Sequence, residues 1–297
     1  MPEGRIVKAL SGFYYVADGQ RVLQCRARGL FKKKDAKVTP LVGDWVRYDE
    51  ISDSEGYVME VTDRETELVR PPIANVDLAM LVFSMREPAF ASMLLDKFLV
   101  HTEQAGIDAV ILLSKADLAP SEEVDLIRAK YQQIGYRVIP TSTVEQQGLA
   151  EVRSELAGHI TVFAGQSGVG KSSLINHLFP GVSLQTGEVS HRLGRGRHTT
   201  RHVELIPLLD VGGYVADTPG FSSLDFNELS ELDLAQAFRD FRRHADHCKF
   251  RGCLHLSEPG CAVLAALEKG EIDAERYQHY QQFVEEQKEQ KRRNKSW

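Results

Sequence analysis

The run Gly165-Gln166-Ser167-Gly168-Val169-Gly170-Lys171-Ser172 constrains this chain more than any other feature. It fits the phosphate-binding pattern G-x-x-x-x-G-K-[ST], with Ser173 next in line. Its flanks fit too: residues 160–163 read as an apolar strand and residues 172–178 as a helix. Glycines let backbone N–H groups wrap a polyphosphate, and the start of a helix adds a favourable dipole. On this reading Lys171 reaches the β- and γ-phosphates of a nucleoside triphosphate, and the Ser172 hydroxyl ligates Mg²⁺.

The loop does not choose the base. Ser114-Lys115-Ala116-Asp117, after an apolar run at 109–113, resembles the guanine motif N-K-x-D with Ser in the Asn place. A carboxylate at Asp117 can accept two N–H bonds from the guanine edge, which adenine cannot supply, and an unpaired buried carboxylate is costly. Lys115 is expected to lay its stem along the base and to tie this loop to the phosphate loop. Ser142, within Thr141-Ser142-Thr143 after a strand at 137–139, is placed to brace the base from the other side.

Asp217-Thr218-Pro219-Gly220 supplies D-x-x-G after an apolar strand. Asp217 is expected to hold Mg²⁺ through water, and the Gly220 N–H to sense the γ-phosphate. Between the motifs lies Gly194-Arg195-Gly196-Arg197-His198-Thr199-Thr200, basic and rich in hydroxyls. A threonine here, Thr200 before Thr199, would ligate Mg²⁺ only in the triphosphate state and make the segment a switch. A basic loop contacting RNA is the other reading, and the two are compatible.

The order of these parts is informative. Guanine nucleotide-binding domains usually run phosphate loop, switch threonine, D-x-x-G, N-K-x-D and base-bracing loop; here the last two come first. The expected strands at 78–83, 109–113, 137–139, 160–163, 202–209 and 213–216 describe that sheet cut before its fourth strand and rejoined. Permutation of this kind moves termini and loops and leaves the core intact. D-x-x-G then leads straight into the C-terminal segment, so γ-phosphate status can pass there directly.

The 297-residue length leaves room for flanking domains. Residues 1–67 alternate like four or five short strands with an Asp18-Gly19 turn, which suggests an OB-like barrel. After Gly220 the pattern is helical, at 229–245, 262–269 and 273–293. Three of the four cysteines crowd there as Cys248-x₄-Cys253-x-His255-x₅-Cys261. Three thiolates and an imidazole form a closed tetrahedral set suited to one structural Zn²⁺, with His244 or His247 as substitutes for His255. No large core is evident in this module, so the metal is expected to supply folding free energy.

The formal net charge of −6 argues against indiscriminate nucleic-acid binding, so basic surface must be local. Residues 21–37 carry seven basic residues and one acidic, including Lys32-Lys33-Lys34 beside Phe31. A second patch comprises Lys288, Lys291, Arg292, Arg293 and Lys295. No apolar run approaches a membrane span and the N-terminus lacks a secretory profile, so no membrane partner and a cytoplasmic location are expected.

The permuted order, GQSGVGKSSL at 165–174, GRGRHTT at 194–200, DTPGF at 217–221 and the cysteine cluster together resemble the family of ribosome small subunit-dependent GTPase A. The resemblance covers essentially the whole chain. It implies an α/β, circularly permuted P-loop GTPase domain at 68–223. An OB-like, RNA-binding β-barrel at 1–67 and a helical zinc-binding domain at 224–297 would flank it. It further implies a GTP hydrolase that matures the small (30S) ribosomal subunit, binds its 16S rRNA and is released on hydrolysis to GDP; a monomer is expected. Phe221 stands where many GTPases place a water-orienting Gln, so turnover alone should be slow, on the order of 10⁻⁴–10⁻² s⁻¹, and rise with the partner. His198 is the expected replacement, and the resemblance points to the same position. Two other classes share parts of the pattern: an RNA-binding module using GTP as a structural ligand with negligible turnover, and a P-loop ATPase or small-molecule kinase, against which Asp117 argues.

Overall fold

The computed structural model describes residues 1–19, 21–27, 38–69, 71–180, 203–217, 224–227 and 229–295. Five strands open the chain: β1 (Glu3–Leu10), β2 (Phe13–Asp18), β3 (Arg21–Ala27), β4 (Trp45–Ser52) and β5 (Glu55–Val61). They run in the order β1-β2-β3-β5-β4, and β4 pairs back onto β1 to close a barrel. Alternation explains the closure. Ile6, Val16, Leu23, Cys25, Val46, Tyr48 and Val58 all point inward and are fully buried, so Cys25 is a core residue. A two-stranded ribbon follows, β6 (Glu67–Val69) and β7 (Pro72–Ala74). The Arg70-Pro71-Pro72 run hid it in the sequence, because proline reads as a strand breaker yet is tolerated at the first residue of an edge strand.

An α/β unit comes next: β8 (Leu78–Ser84), α1 (Ser92–Ala105), β9 (Asp108–Ser114), α2 (Ser121–Ile134), β10 (Arg137–Thr141), α3 (Leu149–Glu155), β11 (Ile160–Ala164), α4 (Lys171–Leu178), β12 (Glu204–Leu208) and β13 (Gly213–Asp217). The strand order is β10-β9-β8-β11-β13-β12, parallel except for β12. Every residue of β8 and β11 is buried, as expected of strands covered on both faces. Gly106 and Gly135 end α1 and α2 in left-handed conformations, their N–H groups returning to the last turn. At its far edge β12 pairs with β1 at Glu204 and Lys8, whose side chains form a 2.8 Å ion pair, so barrel and α/β sheet form one continuous sheet.

The C-terminal unit is α5 (Glu231–Ala237), α6 (Arg239–Ala245), α7 (Ala262–Glu268) and α8 (Ala274–Lys295). Two expectations are corrected here. The single helix expected over 229–245 is broken at Phe238, which is extended (φ −86°, ψ 106°). The break turns Phe238 into the core, where it stacks on Phe241 at 4.9 Å and meets Tyr280 edge-on at 5.3 Å. The module also has a substantial core of its own: Phe226, Phe238, Phe241, Tyr277, Tyr280, Phe283 and Val284 pack together with Val100 of α1. Metal is therefore not its only source of folding free energy. The aromatics converge from separate helices, so no single stretch of sequence looked apolar.

A buried ionic cluster locks this unit onto the α/β unit. Arg276 of α8 donates to Asp240 of α6 at 3.1 and 3.0 Å and also pairs with Asp96 of α1. Tyr131 of α2 donates to Asp96, and His279 Nδ1 lies 2.6 Å from its other oxygen. Two carboxylates hold the guanidinium charged despite its burial.

Candidate nucleotide site and metal centre

Register places the site. Ser84 pairs with Ser114, Ser114 with Thr141, and Ala164 with Leu81, so β8, β9, β10 and β11 end at one sheet edge. Ligands in open α/β sheets bind outside that carboxyl edge. The loops at 114–117, 141–143 and 165–172 all start there, and Asp217 is the last residue of β13 beside them.

Gly165 has φ +142°, and a Cβ there would lie 2.1 Å from the Val82 carbonyl oxygen, so the loop leaves the sheet through a gap only glycine fits. Gly168 and Gly170 are also left-handed. Lys171 Nζ donates to the carbonyls of Gly165 and Gln166 at 2.8 and 2.7 Å, which holds it over the loop, and burial lowers its pKa. Val169 is buried beneath the loop, Gln166, Gly170 and Ser172 are half-buried, and Ser167, Gly168 and Ser173 are exposed.

The tie between base loop and phosphate loop differs from expectation. Lys115 Nζ donates instead to the Glu87 carbonyl, on the segment after β8. The buried Ser114 makes the tie: its hydroxyl donates to the Val169 carbonyl at 2.7 Å. A short side chain suffices because the phosphate loop, leaving β11, carries the Val169 carbonyl back across β8 to the end of β9. Lys115 sits in a left-handed conformation (φ +53°) that opens a tight turn over Ala116–Leu118, leaving Ala116 buried and Asp117 half-buried. Ser142 is buried, accepts from the Glu145 N–H at 3.0 Å and pairs through its backbone with Gln147. His198, Thr199, Thr200 and Gly220, like Phe31 and Lys32–Lys34, lie outside the described residues.

The metal-type cluster is compact. Cys248, Cys253, His255 and Cys261 bring their ligand atoms within 4.8 Å of one another. Cys248 Sγ lies 3.7 Å from His255 Nδ1 and 3.9 Å from Cys261 Sγ, and His255 Nδ1 lies 3.4 Å from Cys261 Sγ. Tetrahedral zinc with ordinary bond lengths needs edges of about 3.6–3.8 Å, so the donors fit. Burial raises the Cys253 thiol to about 12 and lowers the His255 pKa. A divalent cation reverses the first shift, and the second keeps the imidazole in its ligating, neutral form. Of the three histidines open to this role, geometry selects His255; His244 lies 3.9 Å from Glu271 instead.

Sequence reasoning missed what holds the metal loop. The Glu258 carboxylate accepts the N–H groups of Leu254, Leu256 and Ser257 at 2.6, 2.8 and 3.0 Å. Burial pushes its pKa up, but bonds from the backbone of residues 254, 257, 258 and 256 prevail and bring it to about 2. From α8, Tyr277 donates to the His255 carbonyl at 2.7 Å and Tyr280 to the Leu254 carbonyl. These contacts fix His255 at φ +57°, a conformation few side chains adopt unaided. The C-terminal basic patch is partly spent internally: Lys288 pairs with Glu231 at 3.1 Å and Arg293 with Glu289 at 3.6 Å, while Lys291 and Arg292 are exposed.

Comparison with known proteins agrees with this layout. The RsgA GTPase family model matches residues 61–227, and the RsgA N-terminal domain model matches residues 3–58. A small ribosomal subunit biogenesis GTPase RsgA of Shouchella clausii is 53% identical over 296 residues, covering 99% of this chain and all of the relative. The protein of the same description from Bacillus subtilis is 52% identical over 301 residues, with 99% and 100% coverage. Among solved structures, YloQ, described as a circularly permuted GTPase, aligns with TM-score 0.83 at 48% identity, covering 97% of this chain and 96% of YloQ. YjeQ from Thermotoga maritima aligns with TM-score 0.84 at 33% identity, with 96% and 98% coverage. With its permuted sheet, its closed N-terminal barrel and its helical Cys/His module, this chain belongs to the RsgA GTPase family and is a circularly permuted GTPase.

Proposed function

We propose that this GTPase is a maturation factor of the small ribosomal subunit, binding 16S rRNA in its GTP state and leaving after hydrolysis. One observation carries the nucleotide half of this reading: the loops bearing Asp117 and Lys171 leave one sheet edge and are joined by the 2.7 Å bond from Ser114 to Val169. The subunit half is supported by the relatives at 52–54% identity, whose names specify small-subunit biogenesis.

In this reading Asp117 accepts the guanine N–H groups, Lys115, Ala116 and Ser142 enclose the base, and Gly165–Ser173 cradle the phosphates with Lys171 on the β,γ side. Ser172 and Thr200 directly, and Asp217 through water, would hold Mg²⁺, which neutralises charge on the β- and γ-oxygens. His198 orients the attacking water. The water oxygen bonds to the γ-phosphorus as the bond to the β–γ bridging oxygen breaks, giving GDP and phosphate. Gly220 loses its γ-phosphate contact, and that change passes to the C-terminal unit, into which D-x-x-G leads. Cys248, Cys253, His255 and Cys261 hold one structural Zn²⁺. The working units are residues 1–67, 68–223 and 224–297, acting as a cytoplasmic monomer. Among the described residues no helix is long and apolar enough to cross a membrane.

The test is GTP hydrolysis with and without purified 30S subunits, ATP serving as control. Stimulation of about 10²-fold or more is expected when a partner completes the site. Tight GTP binding without stimulation would keep the nucleotide site and remove the ribosome. His198→Ala retaining full stimulated turnover would remove His198 from the mechanism.

A further inference from the structure

The turn between the first two cysteines of the cluster, Lys249-Phe250-Arg251-Gly252, has features that metal binding does not need. Phe250 is 46% exposed and is the only large apolar side chain exposed among the described residues after Leu232. Lys249 Nζ lies 5.5 Å from its ring centroid. Lys249 and Arg251 are both exposed, and neither has an acidic partner among the described residues. The neighbouring cations differ: Arg242 is spent on Glu103, and Arg243 on the carbonyls of Gln133 and Ile134.

The turn is built to hold its shape. The Lys249 N–H donates to the Gly260 carbonyl at 3.1 Å, and the Ala262 N–H points at Cys248 Sγ at 3.4 Å. Gly260 has φ +75°, and a Cβ there would stand 3.2 Å from the Lys249 Cβ, so the two chain segments lie close together. Cys248 and Cys253 pin both ends to the metal-type cluster. Phe250 is thus presented at small entropic cost on a short, anchored turn.

We propose that this turn is a nucleic-acid contact: Phe250 stacks on an unpaired base of a single-stranded RNA segment, while Lys249 and Arg251 take the phosphates on either side. A lone aromatic between two unpaired cations matches what single strands offer, a flat base face between two anionic groups. A protein partner would want further apolar surface around Phe250, and among the described residues of this unit only Leu232, on α5, is a second exposed large apolar side chain. The inference deepens the RNA-binding part of the proposed function and rests on it, adding a site and a mode of contact.

The experiment uses the full chain loaded with one zinc equivalent. Fluorescence anisotropy would report binding to a labelled 12-nucleotide single-stranded RNA, an abasic strand of equal length and a 12-base-pair RNA duplex. Phe250→Ala is expected to weaken single-strand binding roughly 5- to 100-fold. It should leave binding to the abasic strand unchanged, and Phe250→Tyr should restore the loss. Replacing Lys249 and Arg251 by Ala should lower the salt slope on single strands by about 1.4, near 0.7 per phosphate contact. Metal content confirms that each variant is folded, and the charge variants test the proposal should Phe250→Ala lose metal.

Unchanged single-strand binding by both sets of variants overturns the proposal. So does an equal effect of Phe250→Ala on abasic strand or duplex, or tighter binding of a polyglutamate peptide than of RNA, which would assign the turn to an acidic protein. Parallel assays of GTP hydrolysis with 30S subunits separate the two readings. Absent stimulation with Phe250-dependent RNA binding removes the ribosome and keeps the turn; intact stimulation with Phe250-independent binding does the reverse.

Discussion

The nucleotide edge and the metal loop solve the same problem, holding several ligand groups in register, by opposite means. At the nucleotide edge the groups come from loops up to about a hundred residues apart, and the parallel strands β8 to β11, with β13, align them. The loops themselves need few side-chain supports: Gly165 passes under Val82, and a single hydroxyl joins base loop to phosphate loop. The four metal-type donors lie within fourteen consecutive residues, yet their loop has no strand beneath it. Glu258 and the tyrosines of α8 do that work from outside. Where regular structure supplies the frame, glycine and close backbone approach suffice; where it does not, polar side chains must take up the loop's backbone groups.

Four changes would break or sharpen this contrast. The largest effect is expected at the metal loop itself. Cys253→Ser should take metal from one per chain to nearly none by elemental analysis, because structural zinc sites hold the ion by about 10–16 kcal/mol. Most of the helical circular-dichroism signal should survive, since the aromatic packing of Phe226, Phe238, Phe241, Tyr280 and Phe283 stays in place although Cys253 and Cys261 belong to the same buried cluster.

Gly165→Ala ranks second. A Cβ placed 2.1 Å from the Val82 carbonyl forces strand or loop to move, at a cost of about 3 kcal/mol or more. Titration with a fluorescent GTP analogue should show no binding, while metal content stays at one per chain.

Glu258→Gln should weaken metal affinity by about 10- to 100-fold, measured by competition with a chelator. Its pH dependence has a definite sign. A folded pKa of about 2, below the unfolded value, stabilises the fold above pH 4.5 or so, and that contribution fades as pH falls towards 2. The melting-temperature gap between wild type and Glu258→Gln should therefore close across that window. A gap that persists at pH 2 would mean the carboxylate's charge is not what holds the loop.

Ser114→Ala should cost least, about 1 kcal/mol in GTP affinity or roughly 5-fold, the ordinary worth of one hydrogen bond. Ser114→Thr keeps the hydroxyl and should recover most of it. An effect as large as that of Gly165→Ala would show that the bond, rather than the backbone, sets the loop.

Legibility in the sequence followed the same division. The phosphate loop, the strands around it and the permuted order were readable because each rests on local pattern: a short apolar run, glycines and a helix start. The barrel was readable from alternation. Residue type points to the long Lys115 for the tie to the phosphate loop, and only the folded loop, which brings the Val169 carbonyl back over β8, shows that Ser114 reaches it. The break at Phe238 was missed because both halves have good helical spacing, and a buried aromatic contact overrides it. Arg276, Asp96 and Asp240 gave no signal, since charged residues on helices ordinarily read as solvated faces.

The chain by itself displays the chemistry on offer: a phosphate-loop pattern, a carboxylate in the guanine-motif position and a Cys₃His donor set, each confined to a few consecutive residues. Tertiary structure decided which of those groups meet and how firmly they are held. It chose His255 over His244 and His247, gave Ser114 the tie and buried Arg276 between two acids. The physical reason is range. Backbone and donor chemistry act over a few bonds, whereas burial and ion pairing depend on neighbours that folding brings from tens of residues away, as for Ser114 and Val169, or well over a hundred, as for Arg276 and Asp96.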